Sequence, residues 1–264
     1  MTAFLNHPVP LAFAHRGGAA HAPENSWRAF EHAVGLGYRY LETDLQATAD
    51  GVLLAFHDRT LTRVTGMPGR VSRIGFDTVA TARIHGSEPI PRLEDLLGAW
   101  PDIRFNIDVK DSAAIEPLAA VLRRTNAWDR ICVASFSAAR LRATRQALAR
   151  PVCMAASPLG TFMVRVGGPV EWLSRAKWLA RAQVRCLQVP ASAATEALIA
   201  RAHALGLQVH AWTVNDRQTM GHLLDVGVDG IMTDQTVTLR SVLTERNQWH
   251  TDCPEAADPG SPTP

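Results

Sequence analysis

Tyr40-Leu41-Glu42-Thr43-Asp44-Leu45 is the stretch on which the fold turns. Side chains of an extended strand alternate between its two faces, so residues two apart share one. Glu42 and Asp44 therefore fall on one face, and Leu41 and Leu45 on the other. The leucine face needs cover from helices, which aims both carboxylates into the interior of a barrel, at the C-terminal end of the strand. Phe105-Asn106-Ile107-Asp108-Val109-Lys110 repeats the pattern. Phe105, Ile107 and Val109 face outward; Asn106, Asp108 and Lys110 face inward. Two strands far apart in the chain thus deliver three carboxylates and an ammonium to one mouth.

Working outward, short apolar runs near 11–15, 39–45, 103–109, 130–135, 152–156, 185–189, 207–212 and 229–233 predict strands. Helical stretches fall between them, near 25–35, 113–124, 137–148, 171–181, 192–204, 215–225 and 236–244. Trp27, Phe30 and Val34 form one apolar stripe at helical spacing, and Leu118, Val121 and Leu122 another. Asn25 or Ser26 can cap the first helix, and Asn215 or Asp216 the penultimate one. Eight strand-helix units at roughly 30 residues each are what a (β/α)8 TIM barrel requires. A doubly wound open sheet is the rival, but neither GxGxxG nor a Walker A motif follows the first strand. The expectation is one α/β barrel domain over 1–246. A small insertion after the second barrel strand, about 58–92, is expected to sit over the mouth, and 247–264 is expected to be a disordered tail carrying Cys253.

Composition sets the outer limits. The 264 residues are 47% hydrophobic and 20% charged, which excludes disordered and fibrous classes. A net charge of +2 carries no nucleic-acid footprint. No apolar run approaches the ~20 residues of a membrane span. Leu11-Ala12-Phe13-Ala14 reads as a buried strand rather than the end of a signal peptide, because residues 1–11 lack Lys and Arg. Cys132, Cys153 and Cys186 sit in apolar runs without zinc spacing and read as small buried hydrophobes, which fits a cytoplasmic setting. Thr161–Trp178 reads as a packed helix, with a membrane-touching loop as its alternative. No oligomeric state is legible.

The chemistry concentrates at strand ends. Like charges a few ångströms apart repel by several kcal/mol at an effective dielectric near 20 (roughly 4 kcal/mol at 4 Å). Oxygen-only ligands without His or Cys suit one hard divalent cation, Mg²⁺ or Ca²⁺. The alternative is an internal ion-pair network among Glu42, Asp44, Asp108, Lys110 and Arg16. His15 ends the first strand and precedes Arg16-Gly17-Gly18, where glycine allows a tight turn. His57 ends a short strand, Val52–Phe56, and precedes Asp58, which can orient its ring. Two imidazoles beside a cation suit general acid and base, and Arg16 offers a fork for phosphate. Trp212 is placed as an apolar wall of the pocket, with His210 one layer deeper as a core residue.

These residues fall in motifs that resemble the glycerophosphodiester phosphodiesterases. They are Ala14-His15-Arg16-Gly17-Gly18, Ala22-Pro23-Glu24-Asn25-Ser26, Leu41-Glu42-Thr43-Asp44-Leu45, Phe56-His57-Asp58, Asn106-Ile107-Asp108-Val109-Lys110, Ala211-Trp212-Thr213-Val214-Asn215 and Gly230-Ile231-Met232-Thr233-Asp234, in family order over about 11–235. The resemblance implies a TIM barrel that hydrolyses a glycerophosphodiester to an alcohol and sn-glycerol 3-phosphate through a cyclic phosphate. It implies His15 and His57 as the acid/base pair, Arg16 and Lys110 on the phosphate, and Glu42, Asp44 and Asp108 on the cation. The family's third acid is usually Glu; Asp108 is one methylene shorter and would ligate directly or through water. A lysophospholipase D-like enzyme for lipid-bearing diesters is the alternative within the class. A non-catalytic barrel that binds phosphate metabolites is the alternative outside it.

Overall fold

In the computed structural model, which describes residues 2–8, 10–166, 177 and 179–250, Tyr40–Ala47 forms strand β2. It lies between β1 (Leu11–Ala14) and β6 (Arg104–Val109), parallel to both. The series continues through β7 (Ile131–Ala134), β8 (Cys153–Ala155), β9 (Val184–Pro190), β10 (Gln208–Trp212) and β11 (Gly230–Thr233). β11 pairs with β1 and closes an eight-stranded parallel barrel. All eight strands expected from the sequence are present. Helices Trp27–Gly35, Ile115–Thr125, Ala138–Ala147, Glu196–Ala204, Arg217–Asp225 and Thr236–Glu245 follow the expected pattern. The expected helix at 171–181 lies largely outside the described residues. Among those described, no helix is long and apolar enough to cross a membrane.

Strand parity is enforced by two separate apolar layers. Leu41, Leu45, Phe105, Ile107 and Val109 are buried between barrel and helices, each side chain stabilising the fold by about 1.5–3 kcal/mol. Phe13, Tyr40, Cys132, Cys153, Cys186 and Met232 fill the barrel interior instead. A one-residue slip of β2 would exchange its leucines and its carboxylates between these layers. The turn Ala3–Leu5 closes the barrel floor with Phe4 and Leu5. There the Tyr40 hydroxyl donates to the Phe4 carbonyl at 2.8 Å.

Two regions carry detail beyond the expectation. The insertion contributes none of residues 58–92 to the lining of the mouth cavity, although its Asp58 and Arg63 brace His57 there. It folds on its own apolar cluster, including Leu54, Phe56, Leu61, Val71, Val79 and Ile84. Strand β3 (Leu53–Ala55) ties it antiparallel to β2, and β4 (Arg83–Ile84) pairs with β5 (Glu88–Pro89). The tail does not leave the barrel at 247. The Trp249 ring packs edge-on against Tyr38 at 5.0 Å, and Gln248 N–H donates to Leu243 O at 2.8 Å. Residues 251–264, Cys253 among them, lie outside the described residues.

Candidate active site

His15 begins a turn that only its neighbours permit. Arg16 adopts a left-handed φ of 49°, sparsely populated for a side chain of that size. Gly17 follows at φ 83°, where a Cβ would meet Ala29 Cβ at 2.8 Å. The turn points the Arg16 N–H at Glu42 Oε2, 3.1 Å away. His15 Nδ1 lies 2.7 Å from Asp234 Oδ1, and its Nε2 lies 3.9 Å from Glu42 Oε2. Asn215 fixes Asp234 in turn, donating from Nδ2 at 2.9 Å and accepting the Asp234 N–H at 2.9 Å.

His57 is braced similarly. Its Nδ1 lies 2.7 Å from Asp58 Oδ1. Arg63 clamps Asp58 and also donates to Glu24, which accepts from Arg16 at 3.2 Å. With Nδ1–H given to a carboxylate, each imidazole keeps Nε2 for chemistry.

The carboxylates meet in register, Glu42 opposite Asn106 and Asp44 opposite Asp108. Lys110 Nζ stands between the aspartates, 2.9 Å from Asp44 Oδ1 and 2.6 Å from Asp108 Oδ2. Asp44 Oδ2 also receives Asn25 Nδ2 at 3.1 Å and faces Arg16 Nε at 3.1 Å. The ion pairs of the network reading are thus present. They do not quench the site evenly. Burial, reinforced by the charge of Asp44, pushes Glu42 up to about 7. Burial also raises Asp108 against the pull of Lys110. Asp44 is lowered, because Lys110 and Arg16 outweigh its burial. Burial opposes the charged forms of Lys110 and His15, yet both are raised, by the two aspartates and by Asp234 with Glu42 respectively. Asp234 is lowered: its burial is outweighed by its bonds to His15 and Asn215.

The residues fit a hard cation in donor type and charge. Asp108 Oδ1 is buried without a hydrogen-bond partner, and Glu42 holds a proton near neutrality that a cation would displace. The oxygens do not converge on a closed cage. Among the described residues, the group of three potential ligands with all donor atoms within 4.8 Å lies elsewhere. An open arrangement that leaves room for waters is the habit of Mg²⁺ sites.

All eight residues singled out from the sequence line one cavity of about 520 Å³: His15, Arg16, Glu42, Asp44, His57, Asp108, Lys110 and Trp212. Trp212 stacks edge-to-face with Phe136 at 5.9 Å, and Lys110 Nζ stands 5.6 Å over the Phe136 ring. His210 is core, as expected: burial drives its pKa down to about 3, and it packs on Phe13 at 4.9 Å. Sequence reasoning missed the positioning roles of Asp234, Asn215 and Asn25. Asn25 and Asn215 read only as helix caps, but Ser26 and Asp216 do the capping. A signal for Asp234 was available in its place after the eighth barrel strand.

Comparison with known proteins bears on this geometry. Residues 15–238 match the profile of the glycerophosphoryl diester phosphodiesterase family. A protein of Mycobacterium tuberculosis, named "Probable glycerophosphodiester phosphodiesterase 2", is 42% identical over 259 residues, covering 93% of this chain and 95% of that one. A glycerophosphodiester phosphodiesterase structure from Agrobacterium tumefaciens superposes with a TM-score of 0.76 at 21% identity, covering 89% of this chain and 99% of its own. An Oleispira antarctica phosphodiesterase, solved with the product sn-glycerol-3-phosphate, superposes with a TM-score of 0.75 at 21% identity, covering 89% and 97%. At those identities the two structures speak to the fold.

Proposed function

The chain belongs to the glycerophosphoryl diester phosphodiesterase family, and from that premise we propose how its mouth hydrolyses a glycerophosphodiester to an alcohol and sn-glycerol 3-phosphate. One observation carries the reading. Two imidazoles, each braced at Nδ1 by a carboxylate, face a single cavity that also holds Arg16 and Lys110.

His57 Nε2 takes the proton of the glycerol 2-hydroxyl, whose oxygen attacks phosphorus. The P–O bond to the alcohol breaks, and the departing oxygen takes a proton from His15. His15 suits the acid role, since Asp234 and Glu42 hold its proton against the effect of burial. In the second half His15 accepts a proton from water, which opens the cyclic phosphate, and His57 returns its proton to the 2-oxygen. Arg16 and Lys110 grip the phosphate oxygens, exchanging carboxylate partners for the substrate.

The family generally depends on a divalent cation. Held by Glu42, Asp44 and Asp108, Mg²⁺ or Ca²⁺ would stabilise the charge that builds on the phosphate oxygens. Charge matching supports this assignment. Three carboxylates against Arg16 and Lys110 leave one negative charge, which a divalent ion converts to one positive charge, the complement of a phosphodiester. A cytoplasmic setting fits the three free, buried thiols.

The test is release of glycerol 3-phosphate from glycerophosphocholine and glycerophosphoethanolamine, with Mg²⁺, Ca²⁺ or a chelator. Cation-dependent release, lost in His15→Ala and weakened in Asp108→Ala, is expected. Folded protein that releases none with either ion sinks the reading. A lysophospholipase D-like activity draws support from the apolar wall, where Phe136 and Phe162 remain 63% and 56% exposed. Activity that rises sharply above the micelle threshold of a lysophospholipid would favour it.

A further inference from the structure

A second set of ligating side chains lies deeper in the barrel than this chemistry reaches. Cys132 on β7, Cys153 on β8 and Cys186 on β9 are buried and free. They lie on three neighbouring strands and share one interior cluster with Phe4, Leu5, Phe13 and Tyr40. Cys132 and Cys153 are direct register partners, and a register irregularity at Met154/Ala155 sets Cys186 opposite Ala155. Cys132 and Cys186 Sγ are 3.9 Å apart, and all three sulfurs lie within 4.8 Å of one another.

Three small hydrophobes packed together would explain the burial alone. Further features point to a ligand. Sulfurs at a metal–sulfur distance of about 2.3 Å stand about 3.8 Å apart around a tetrahedral centre and about 4.0 Å apart around a trigonal one, which brackets the 3.9 Å between Cys132 and Cys186. The Gln188 Nε2 reaches Cys186 Sγ at 4.0 Å, the kind of outer contact that tunes a ligating sulfur. A separate cavity of about 140 Å³, lined by Thr2, Cys153, Gln183 and Arg185 among others, gives an entry path and room for a water. Arg185 also places positive charge near Cys153, offsetting the negative charge of a thiolate set.

We propose that Cys132, Cys153 and Cys186 form a structural site for one thiophilic closed-shell cation, bound as thiolates on the inner floor of the barrel. Each thiol that ligates gives its proton to solvent. Zn²⁺ would take a fourth ligand from water in the floor cavity, whereas Cu(I) is satisfied by sulfur alone.

The experiment uses the full chain carrying Cys253→Ser, reduced, stripped by chelator and handled without oxygen. Co²⁺ titration should develop a near-ultraviolet thiolate-to-metal band, saturating at one equivalent and displaced by Zn²⁺. The carboxylate mouth cannot produce a sulfur band, so cation uptake there does not confuse the reading. A parallel arm measures metal retained after gel filtration with Zn²⁺ or Cu(I). Retention of one and not the other identifies the ion, and retention supports the site only where Cys132→Ser and Cys186→Ser abolish it, since the carboxylate mouth can also hold Zn²⁺. The band should be lost in Cys132→Ser and in Cys186→Ser, each checked for fold by circular dichroism. Should those variants fail to fold, the parent protein decides alone. No sulfur band and no retained metal overturns the proposal, as does a band that survives both substitutions. A disulfide within the trio in place of metal uptake overturns it equally.

Discussion

Strand β2 carries Tyr40 toward the barrel floor and, two and four residues on, Glu42 and Asp44 at its mouth; β1 likewise runs from Phe13 to His15. Toward the floor, rings are interlocked and, among the described residues, no buried acid is present. The Tyr40 hydroxyl is bonded to Phe4 O, and Phe13 packs against Tyr40 at 5.0 Å. At the mouth, aspartates face each other in register, one buried carboxylate oxygen lacks a partner, and Glu42 is pushed up to about 7. One set of strands thus separates stability from reactivity along its length. The floor and the helix-facing layer hold the barrel shut, and this lets the mouth keep charges that would not assemble on their own.

Paired substitutions at the two ends break this comparison if it is wrong. His57→Ala is expected to lower kcat/KM by about a hundredfold to ten-thousandfold, the usual worth of a general acid or base. It should leave the urea midpoint close to the parent, since the side chain is 33% exposed and its partner is the part-exposed Asp58. Phe13→Ala should do the reverse. The fully buried ring is worth about 3–5 kcal/mol of stability on deletion, while kcat of the folded fraction stays near the parent value. A floor variant that abolishes turnover while folded would show that the two ends are not separable.

Glu42→Gln sharpens the electrostatic side. A carboxyl whose folded pKa is raised to about 7 keeps its proton in the folded state and loses it in the unfolded chain between the ordinary glutamate value and 7. The unfolded state then binds fewer protons, so stability falls as pH rises through that window. The fall is on the order of a few kcal/mol for a shift of this size. In Glu42→Gln the cation-free protein should lose that fall and be the more stable form at pH 8, though inactive. Denaturant melts at pH 5 and 8 decide it. Identical pH slopes in the two proteins would mean that Glu42 is not strained. Because a bound cation must displace the same proton, cation affinity in the parent should weaken about tenfold for each pH unit below about 7.

How much of this was legible depended on how local each signal is. Alternation along β2 and β6 is a two-residue pattern, so strand faces and the inward carboxylates could be read directly. His57 and Asp58 are adjacent and their pairing could be anticipated. The insertion's cluster, from Leu54 to Ile90, could not be, because its elements are too short to show a period. The ordered turn at 247–250 depends on one ring, Trp249, finding Tyr38 across the fold. The cysteine trio needs three strands side by side before its spacing means anything. Asn25 and Asn215 carried a local explanation as caps that hid their partners, Asp44 and Asp234.

The His15–Asp234 pair is the extreme case, since its members are 219 residues apart and meet only because β11 closes on β1. It also gives the smallest and most specific effect. Asp234 raises His15 by a direct hydrogen bond and by its charge. Asp234→Asn keeps the shape and Asn215 as a neighbour but removes the charge, so the His15 acid should lose its proton at lower pH. The alkaline limb of kcat/KM should move acidward, and the plateau should drop by about tenfold to a hundredfold, the worth of one charge-assisted bond. The acid limb should stay where it is, since Asp234 braces His15 and not His57. Movement of the acid limb instead would exchange the roles assigned to the two histidines. Movement of neither would reduce Asp234 to a tether that holds the His15 ring in place.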